Sequence, residues 1–315
     1  MATEPCVCAA CETALTGRYC HVCGQDSQAR PAPLLEMAKE VATSYSLIDG
    51  KLARTLAVLA VRPGRLLEAH RAGAGSLYIT PLKLFVAATA LFLAVLHFSD
   101  TRMHQFTWKV VQGQTVVVTH DPRLGNIEVT GAVEQDRWLQ KKIEPAVDPA
   151  VALALQQAGA AAKTPAERAS IEYVIAENQT EEDFAKRLSD WLPNVLWLLM
   201  PLYATLLIPL FGRRRLFLEH VIFAMWAHAI SFVLMMIMAV INSLGANLWA
   251  SLLVLPYLAY FTVAGARYYQ MSPISALWRG VVHLTAYVSL VLLPVALAIY
   301  TTVVDWDVLR RYAFA

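Results

Sequence analysis

Residues 220–266 have the sequence HVIFAMWAHAISFVLMMIMAVINSLGANLWASLLVLPYLAYFTVAGA, and this stretch decides the fold. It contains no Asp, Glu, Lys or Arg in 47 residues. A helix needs roughly 20 mostly apolar residues to cross a bilayer, so the stretch has room for two spans. The turn-rich cluster NSLGAN at 242–247 is the expected break between them. The pattern therefore predicts membrane helices at about 221–241 and 247–265.

Three other stretches also lack charged side chains, at residues 84–99, 191–212 and 280–304. The last two each fit one span. The first is short, but a lysine at its edge can extend its side chain to the lipid headgroups, which allows a span over 81–99. A cleavable signal peptide would begin near the N-terminus, not near residue 81. We predict five spans in a mainly α polytopic membrane helix bundle, with the remaining two at 191–211 and 281–303.

The composition agrees with a membrane protein. Hydrophobic residues make up 57% of the 315 residues and charged residues 16%. A soluble domain has about 45–50% apolar and about 25% charged residues. Disorder needs low hydrophobicity and high net charge, so it is excluded for most of the chain. The net charge of +2 gives no indication of a nucleic-acid partner.

The distribution of Lys and Arg predicts the orientation, because cytoplasmic loops are enriched in these residues. Nine basic residues precede or open the first span, Arg213, Arg214 and Arg215 lie between spans two and three, and the loop between spans three and four has no charge. This pattern predicts a cytoplasmic N-terminus. Residues 100–190, with 10 basic and 14 acidic residues, are then extracytoplasmic. The tail at 305–315 is predicted outside as well, although Arg310 and Arg311 run against the rule.

The extracytoplasmic segment is predicted to be a small α+β domain inserted between spans one and two. Strand patterns occupy residues 106–130, with turns at Gly113, at 121–122 and at Gly125. Helices are expected over 149–162 and 166–188. The second helix has Thr164 as its expected N-cap and Glu167 three residues later, which is a capping-box pattern. No catalytic constellation is recognisable in this segment.

The N-terminal 30 residues contain all five cysteines, and four of them form the pattern C-x2-C and C-x2-C at Cys8, Cys11, Cys20 and Cys23. Two such turns can present four thiolates to one tetrahedral Zn²⁺, as in a minimal zinc ribbon over residues 1–30. Four protein ligands close the site, so the zinc would be structural. The reducing cytoplasm disfavours disulfides, which agrees with the predicted orientation.

Redox chemistry and an iron–sulfur cluster are the alternatives to zinc for these cysteines. A redox C-x2-C is expected near a thioredoxin-like βαβ pattern, which is missing here. An iron–sulfur cluster also uses four thiolates, but the symmetric spacing favours zinc. Cys6 or His21 could replace one ligand. Nucleic-acid binding by the ribbon rests only on Arg18 and Arg30 and is not favoured.

Residues 34–80 connect the ribbon to the first span and are predicted to form an amphipathic helical segment on the cytoplasmic side. Leucines recur at helical spacing among basic residues, and Pro63-Gly64 breaks the pattern. Such a segment commonly lies on an anionic leaflet. The sequence equally allows it to pack against the cytoplasmic face of the bundle.

The sequence resembles a family of bacterial membrane proteins with an N-terminal zinc ribbon, catalogued as a domain of unknown function (number three-six-six-seven). The resemblance is carried by GRYCHVCGQ at 17–25, DGKLARTL at 49–56, RPGR at 62–65, YITPLKLF at 78–85 and EHVIFA at 219–224. It implies the ribbon and a location in the bacterial inner membrane, and it implies no activity. Between Arg65 and Tyr78 the family tends to be basic and aromatic, whereas this chain has small residues such as Ala74, Gly75 and Ser76. This difference weakens any role of that stretch in binding anionic lipid.

Polar groups inside spans are costly and are therefore functional candidates. Four lie in or at the edge of the predicted bundle over 191–304: Glu219, His220, His228 and His283. No Asp or Glu lies inside a span, so an interhelical hydrogen bond is the favoured role of His228. Glu219 is expected to pair with arginine at 213–215 or at 279.

Two functions follow from these patterns, and a non-enzymatic role is favoured over catalysis. The favoured function is that of an interaction or scaffold protein, whose ribbon binds a protein partner at the membrane. The alternative is a transporter or channel component with the ribbon as a regulatory cap, since prolines recur in the spans. That alternative predicts a cavity lined by Asn194, His228, Tyr257 and Tyr260. The sequence leaves the partner and the oligomeric state open.

Overall fold

The computed structural model of the chain describes residues 7–30, 33–43, 50–74, 77–121, 125–143, 147–212 and 215–314. These residues are mainly helical, with one two-stranded sheet. The first part contains α1 (Leu34–Thr43), α2 (Gly50–Val61), α3 (Arg65–Arg71), α4 (Pro81–Phe98), β1 (Thr101–Asp121) and β2 (Gly125–Lys141). The second part contains α5 (Pro149–Ala161), α6 (Pro165–Phe211), α7 (Phe217–Ser243), α8 (Val254–Tyr269), α9 (Pro273–Tyr287), α10 (Leu293–Thr301) and α11 (Trp306–Phe314).

The chain divides into two compact units. Unit 1 contains Met1–Ala94, Leu196–Ile237 and Ser251–Val291, and unit 2 contains Val95–Val195, Met238–Ala250 and Leu292–Ala315. Unit 1 includes the cysteine-rich head. Unit 2 includes the sheet.

Four helical segments are long and apolar enough to cross a membrane: Pro81–Phe98, Phe217–Ser243, Ala250–Tyr269 and Pro273–Thr301. Four of the five predicted spans fall on them. In the third and fourth of these segments, only 17% and 22% of the most apolar 18-residue stretch are buried inside the protein. Their outer faces carry apolar side chains such as Leu255 (73% exposed) and Ile274 (80% exposed). Apolar surface of this extent in water is rare, whereas lipid accommodates it.

The second predicted span along the chain, at 191–211, is helical throughout but is not among these four segments. It is the last part of α6, and its described apolar portion is Leu198–Phe211, shorter than a full span. The predicted helix at 166–188 and this span form one continuous helix of 47 residues. The residues between them include no glycine and no turn cluster, so nothing ends the helix there.

The sheet in unit 2 is longer than the sequence predicted. β1 and β2 pair antiparallel from Thr101↔Lys141 to Asp121↔Gly125. The expected turn at Gly113 does not form; β1 continues through it with a register shift between Val110 and Thr115. A glycine in a strand often marks such an irregularity. Pairing along the whole hairpin therefore outweighs the local turn signal.

The predicted capping box at the start of α6 is confirmed. The amide of Glu167 donates to Thr164 Oγ1 at 3.1 Å, and the amide of Thr164 donates to Glu167 Oε2 at 3.3 Å. The preceding helix, α5, starts at Pro149 behind Asp148, whose side chain accepts from the amide of Ala150 at 2.9 Å.

Replacing Gly280 with alanine is expected to destabilise the pair α8–α9. The new Cβ would lie 2.8 Å from Cδ1 of Phe261, a ring that is only 2% exposed and cannot easily move away. Overpacking of this kind costs roughly 1–3 kcal/mol, so thermal unfolding in detergent should begin several degrees lower. Gly265→Ala is the matched control, since its nearest neighbour would be an ordinary contact at 3.8 Å. Equal melting temperatures for the two variants would contradict this packing.

Candidate metal centre

The cysteine-rich head consists of two knuckles that repeat the same backbone pattern. In the first, the amide of Cys8 donates to the Thr13 carbonyl at 2.8 Å and the amide of Glu12 to the Cys8 carbonyl at 2.9 Å. In the second, Cys20, Gln25 and Gly24 take the corresponding places, with both distances at 2.9 Å.

The fifth position of each knuckle has a left-handed backbone. Its φ is 64° at Glu12 and 72° at Gly24. Gly24 adopts this conformation without steric cost, because it has no Cβ. Each knuckle is closed by an antiparallel bridge, Val7↔Ala14 in the first and Tyr19↔Asp26 in the second. Two equal turns thus present two cysteines each.

The four predicted ligands lie together. The Sγ atoms of Cys8, Cys11, Cys20 and Cys23 are all within 4.8 Å of one another. Two sulfur pairs across the knuckles, Cys8–Cys23 and Cys11–Cys20, are separated by 3.6 and 3.5 Å. A disulfide would need about 2.05 Å, and none is formed among these cysteines. A tetrahedron with metal–sulfur bonds of about 2.3 Å has sulfur–sulfur edges of about 3.8 Å, so the arrangement fits one tetrahedral ion.

The thiols are not equivalent in their readiness to ionise. Hydrogen bonds to Thr13 lower the pKa of the Cys11 thiol to about 6. Burial raises the pKa of the Cys23 thiol to about 12. At neutral pH the Cys11 thiolate is therefore the group ready to accept a cation, while Cys23 would release its proton when a metal binds. Cys6, the alternative ligand, lies outside the described residues.

The head is attached to the segment that follows it by side chains that bond to its backbone. Arg65 Nη2 donates to the Ala9 carbonyl at 2.9 Å and to the Ala10 carbonyl at 3.4 Å. The Tyr78 hydroxyl also donates to the Ala10 carbonyl at 3.4 Å. Arg65 forms an ion pair with Glu12 at 3.2 Å. These bonds hold the first knuckle against α3 and the turn before α4.

The second knuckle is attached through the end of α3. Gln25 Nε2 donates to the Gly73 carbonyl at 2.9 Å. Gly73 has φ +74° and ends α3 in a Schellman motif, in which the amide of Ala74 donates to the Ala69 carbonyl at 2.8 Å. A Cβ on Gly73 would lie 2.3 Å from the Ala29 carbonyl oxygen, so only glycine allows this approach.

Apolar packing accompanies these bonds. Cys8, Ala10 and Cys20 form one buried cluster with Ala69 and Ala74, and Leu77 and Tyr78 pack against it. Among the larger apolar side chains of the head, Leu15 packs against this cluster, whereas Tyr19 and Val22 are exposed. The surface of α3 therefore completes the core of the head. A module of about 25 residues is too small to bury a core of its own.

The contacts of α3 decide between the two placements left open by the sequence. Arg71 Nη1 donates to the Tyr268 carbonyl at 2.9 Å, and Arg267 Nη1 donates to the Pro63 carbonyl at 3.1 Å. A Cβ on Gly64 would lie only 3.1 Å from the Cα of Ala264. The turn and helix at 63–71 therefore pack against the end of α8, rather than presenting this face to a leaflet.

Glu219 and His220 lie at the start of α7 and are bound to the same end of α8. Glu219 pairs with Arg215 at 2.9 Å, one of the predicted partners; Arg213 and Arg214 lie outside the described residues. His220 is fully buried, with Nδ1 3.0 Å from the Tyr269 hydroxyl. The Tyr268 hydroxyl donates to the Glu219 carbonyl at 3.1 Å. The pair thus has structural partners for its polar groups.

His228 and His283 are brought together in the interior of unit 1 by Tyr203. The Tyr203 ring lies 5.0 Å from the His228 ring and 4.2 Å from the His283 ring, between centroids. His283 Nε2 donates to the Tyr203 carbonyl at 3.1 Å, and the hydroxyls of Tyr203 and Tyr257 are 2.5 Å apart. Sequence reasoning missed Tyr203, since one tyrosine in an apolar run carries no special signal.

The predicted interhelical bond of His228 is only partly correct. Its Nδ1 donates to the Ala224 carbonyl at 2.8 Å within α7, and its Nε2 is 3.5 Å from the Tyr287 hydroxyl on α9. The shorter bond is intrahelical, because a carbonyl one turn back lies within reach of the ring. The predicted cavity members Tyr257 and His228 are both buried, whereas the side chain of Asn194 lies outside the description.

One comparison with known proteins gives a match. Residues 49–93 match the family model described as protein of unknown function (DUF3667). This confirms the resemblance over α2, α3 and most of α4, which is the segment that holds the head. No curated protein and no solved structure matches the chain.

Proposed function

We propose that this chain is a polytopic protein of the bacterial inner membrane that binds a protein partner through a structural zinc ribbon at the cytoplasmic surface. The ribbon comprises residues 7–30 together with the metal. It would act as a fixed docking module: the membrane helices hold it in place, and its outer face binds the partner. The proposal concerns binding, not catalysis.

The choice of zinc is supported by the donor set. Four thiolates in a closed, symmetric arrangement are typical of structural zinc sites, and zinc adds no redox chemistry that would require access. When bound, Zn²⁺ would supply the cross-link that keeps the two knuckles together. The residues that would hold it are Cys8, Cys11, Cys20 and Cys23.

The proposed topology has five spans, with the N-terminus cytoplasmic and residues 100–190 extracytoplasmic. Two sets of contacts support it. Arg215, just before α7, donates to the Tyr269 carbonyl at the end of α8, and Arg267 of α8 donates to the Pro63 carbonyl before α3. The uncharged loop after α7 instead bonds to the sheet, where Asn242 Nδ2 donates to the Trp138 carbonyl at 2.7 Å. Each contact joins segments that the charge pattern assigns to the same side.

One observation carries the docking proposal. While the inner side of the ribbon is packed on α3, three apolar side chains of the ribbon remain exposed: Val7 at 61%, Tyr19 at 60% and Val22 at 63%. In a module of about 25 residues this is a large share of the apolar side chains. Exposed tyrosines and aliphatic groups are the residues that a partner commonly buries at the centre of an interface.

The test is a pull-down from gently solubilised membranes, with metal content measured on every sample. Tyr19→Ala/Val22→Ala is expected to keep the metal and to lose a specific set of captured proteins. His21→Ala, an exposed polar residue in the same knuckle, is the matched control and should lose neither. Unchanged capture by the double variant, with metal retained, would overturn the docking proposal.

A second function is favoured by the polar aromatic cluster around Tyr203. Three buried polar rings, His228, His283 and Tyr257, surround it within candidate spans. Buried polar groups at this depth are costly and often mark a transport path. In that case the ribbon would be a stabilising cap. Cys20→Ser/Cys23→Ser would then lose metal without changing the captured proteins, and transport assays on the bundle would become the next step.

A further inference from the structure

A small cavity lies in unit 1 beneath α3, and it is separate from the cysteine cluster. Its volume is about 30 Å³. One water molecule needs roughly 10–15 Å³ measured this way, so the space fits one small molecule, or two waters at most. Ten residues line it, and those that matter here are His70, Ala74, Tyr78, Thr80 and Trp226.

Three side chains that line this cavity have a buried polar atom without a hydrogen-bond partner among the described residues. These atoms are His70 Nε2, Thr80 Oγ1 and Trp226 Nε1. Buried polar atoms are nearly always paired, because a polar group that loses its bond to water and gains none in the protein destabilises the fold. Three such atoms around one cavity are best explained by a shared partner inside it.

The hydroxyl of Thr80 lacks the hydrogen bond that its position in the fold would normally give it. The amide of Leu84 donates to its carbonyl at 2.9 Å, which places Thr80 at the N-cap of α4. A threonine there usually accepts a bond from an amide two or three residues later. The Thr80 hydroxyl makes no such bond within the described part of the chain, so it is free to serve the cavity.

The donor and acceptor pattern identifies the class of molecule. Trp226 Nε1 can only donate, and the Thr80 hydroxyl can do either. Burial lowers the pKa of His70, so the ring is neutral and Nε2 can accept. The indole N–H disfavours a cation. When the proton of the neutral imidazole is on Nδ1, the lone pair of Nε2 faces the cavity and disfavours an anion. A neutral molecule that donates and accepts, of the size of water, satisfies all three groups.

We propose that this cavity is a specific binding site for one water molecule, which accepts from Trp226, donates to His70 and bonds to Thr80. The water would join α3, the turn before α4 and α7. Nine of the ten lining residues belong to the stretch matched by the family model. Ala74 and Tyr78 also belong to the packing around the cysteines, so the same two residues contact the cavity and the head.

The site is tested by a double-mutant cycle of Thr80 and His70 on the full chain in detergent, in which the melting temperature is measured. With a bridging water, Thr80→Val and His70→Phe should each lower the melting temperature by roughly 2–4 °C. The double variant should fall by clearly less than the sum, because both changes remove the same bridge. Without a bridge, each apolar substitution removes an unpaired group, so each should raise the melting temperature and the effects should add.

Thr89→Val is the matched control, because the buried Thr89 hydroxyl is already satisfied by the Phe85 carbonyl at 2.8 Å. Its effect should add to that of His70→Phe. Additive or stabilising effects at Thr80 and His70 would overturn the proposal. So would a melting temperature that depends on chloride in the wild type but not in Thr80→Val, since the bound species would then be an anion.

Discussion

Replacing Cys20 and Cys23 with serine is expected to reduce bound zinc from about one ion per chain to nearly none, and to unfold the head. Binding of zinc to four thiolates is worth roughly 10–16 kcal/mol in small finger peptides, and this energy is the folding energy of such modules. The head has few apolar side chains of its own, and its packing depends on the cysteines themselves. We therefore expect trypsin to cleave at Arg18 and Arg30 rapidly in the variant.

His21→Ala controls for a change in the same knuckle, and it should keep both the metal and the resistance to trypsin. Circular dichroism should show that the membrane helices remain folded in either case. Stoichiometric metal in the double serine variant would mean that other groups bind it. Loss of metal from His21→Ala would instead identify histidine as a ligand, which would contradict the four-cysteine site.

Gly73→Ala is expected to detach the head from α3 while leaving the metal bound. The residue has φ +74°, where a side chain costs roughly 1–2 kcal/mol, and its Cβ would meet the Ala29 backbone at 2.3 Å. Backbone atoms cannot rotate away as a side chain can. A cost of about 2 kcal/mol would raise the population of the detached state about 30-fold, and tryptic cleavage near Arg30 should accelerate accordingly.

Gly17→Ala is the matched control, since no atom lies within 4 Å of its added Cβ and its backbone is not left-handed. It should cleave at the wild-type rate. Metal content should be unchanged in both glycine variants, which distinguishes detachment from unfolding. If Gly73→Ala is as resistant as Gly17→Ala, the attachment of the second knuckle at this point is wrong.

The features that the sequence predicted well depend on neighbouring residues. The four cysteines lie within 15 positions of one another, so their spacing alone fixes two turns. The apolar helices depend on the absence of charge over about 20 residues, and the capping box depends on Thr164 and Glu167 within one helical turn. Local chemistry decides each of these structures, so the sequence contains the relevant information.

The features that the sequence did not predict depend on distant contacts. Arg65 was counted as one of several basic residues near the membrane, whereas its actual role is to bond to a carbonyl 56 positions earlier. Tyr203 is one aromatic residue in an apolar run, and only the fold places it between two histidines. The hairpin exceeds its prediction for the same reason: pairing with β2 keeps Gly113 in a strand.

The attachment of the head has a consequence for how freely its sequence can change. Arg65, Tyr78 and Gln25 form hydrogen bonds with main-chain carbonyls, those of Ala9, Ala10 and Gly73. A carbonyl is present whatever side chain stands at its position. The exposed side chains of the head can therefore be exchanged without disturbing its attachment to α3 and to the turn before α4, provided that the knuckle backbone is kept. The same membrane platform could carry ribbons of different specificity, which makes the head a replaceable module.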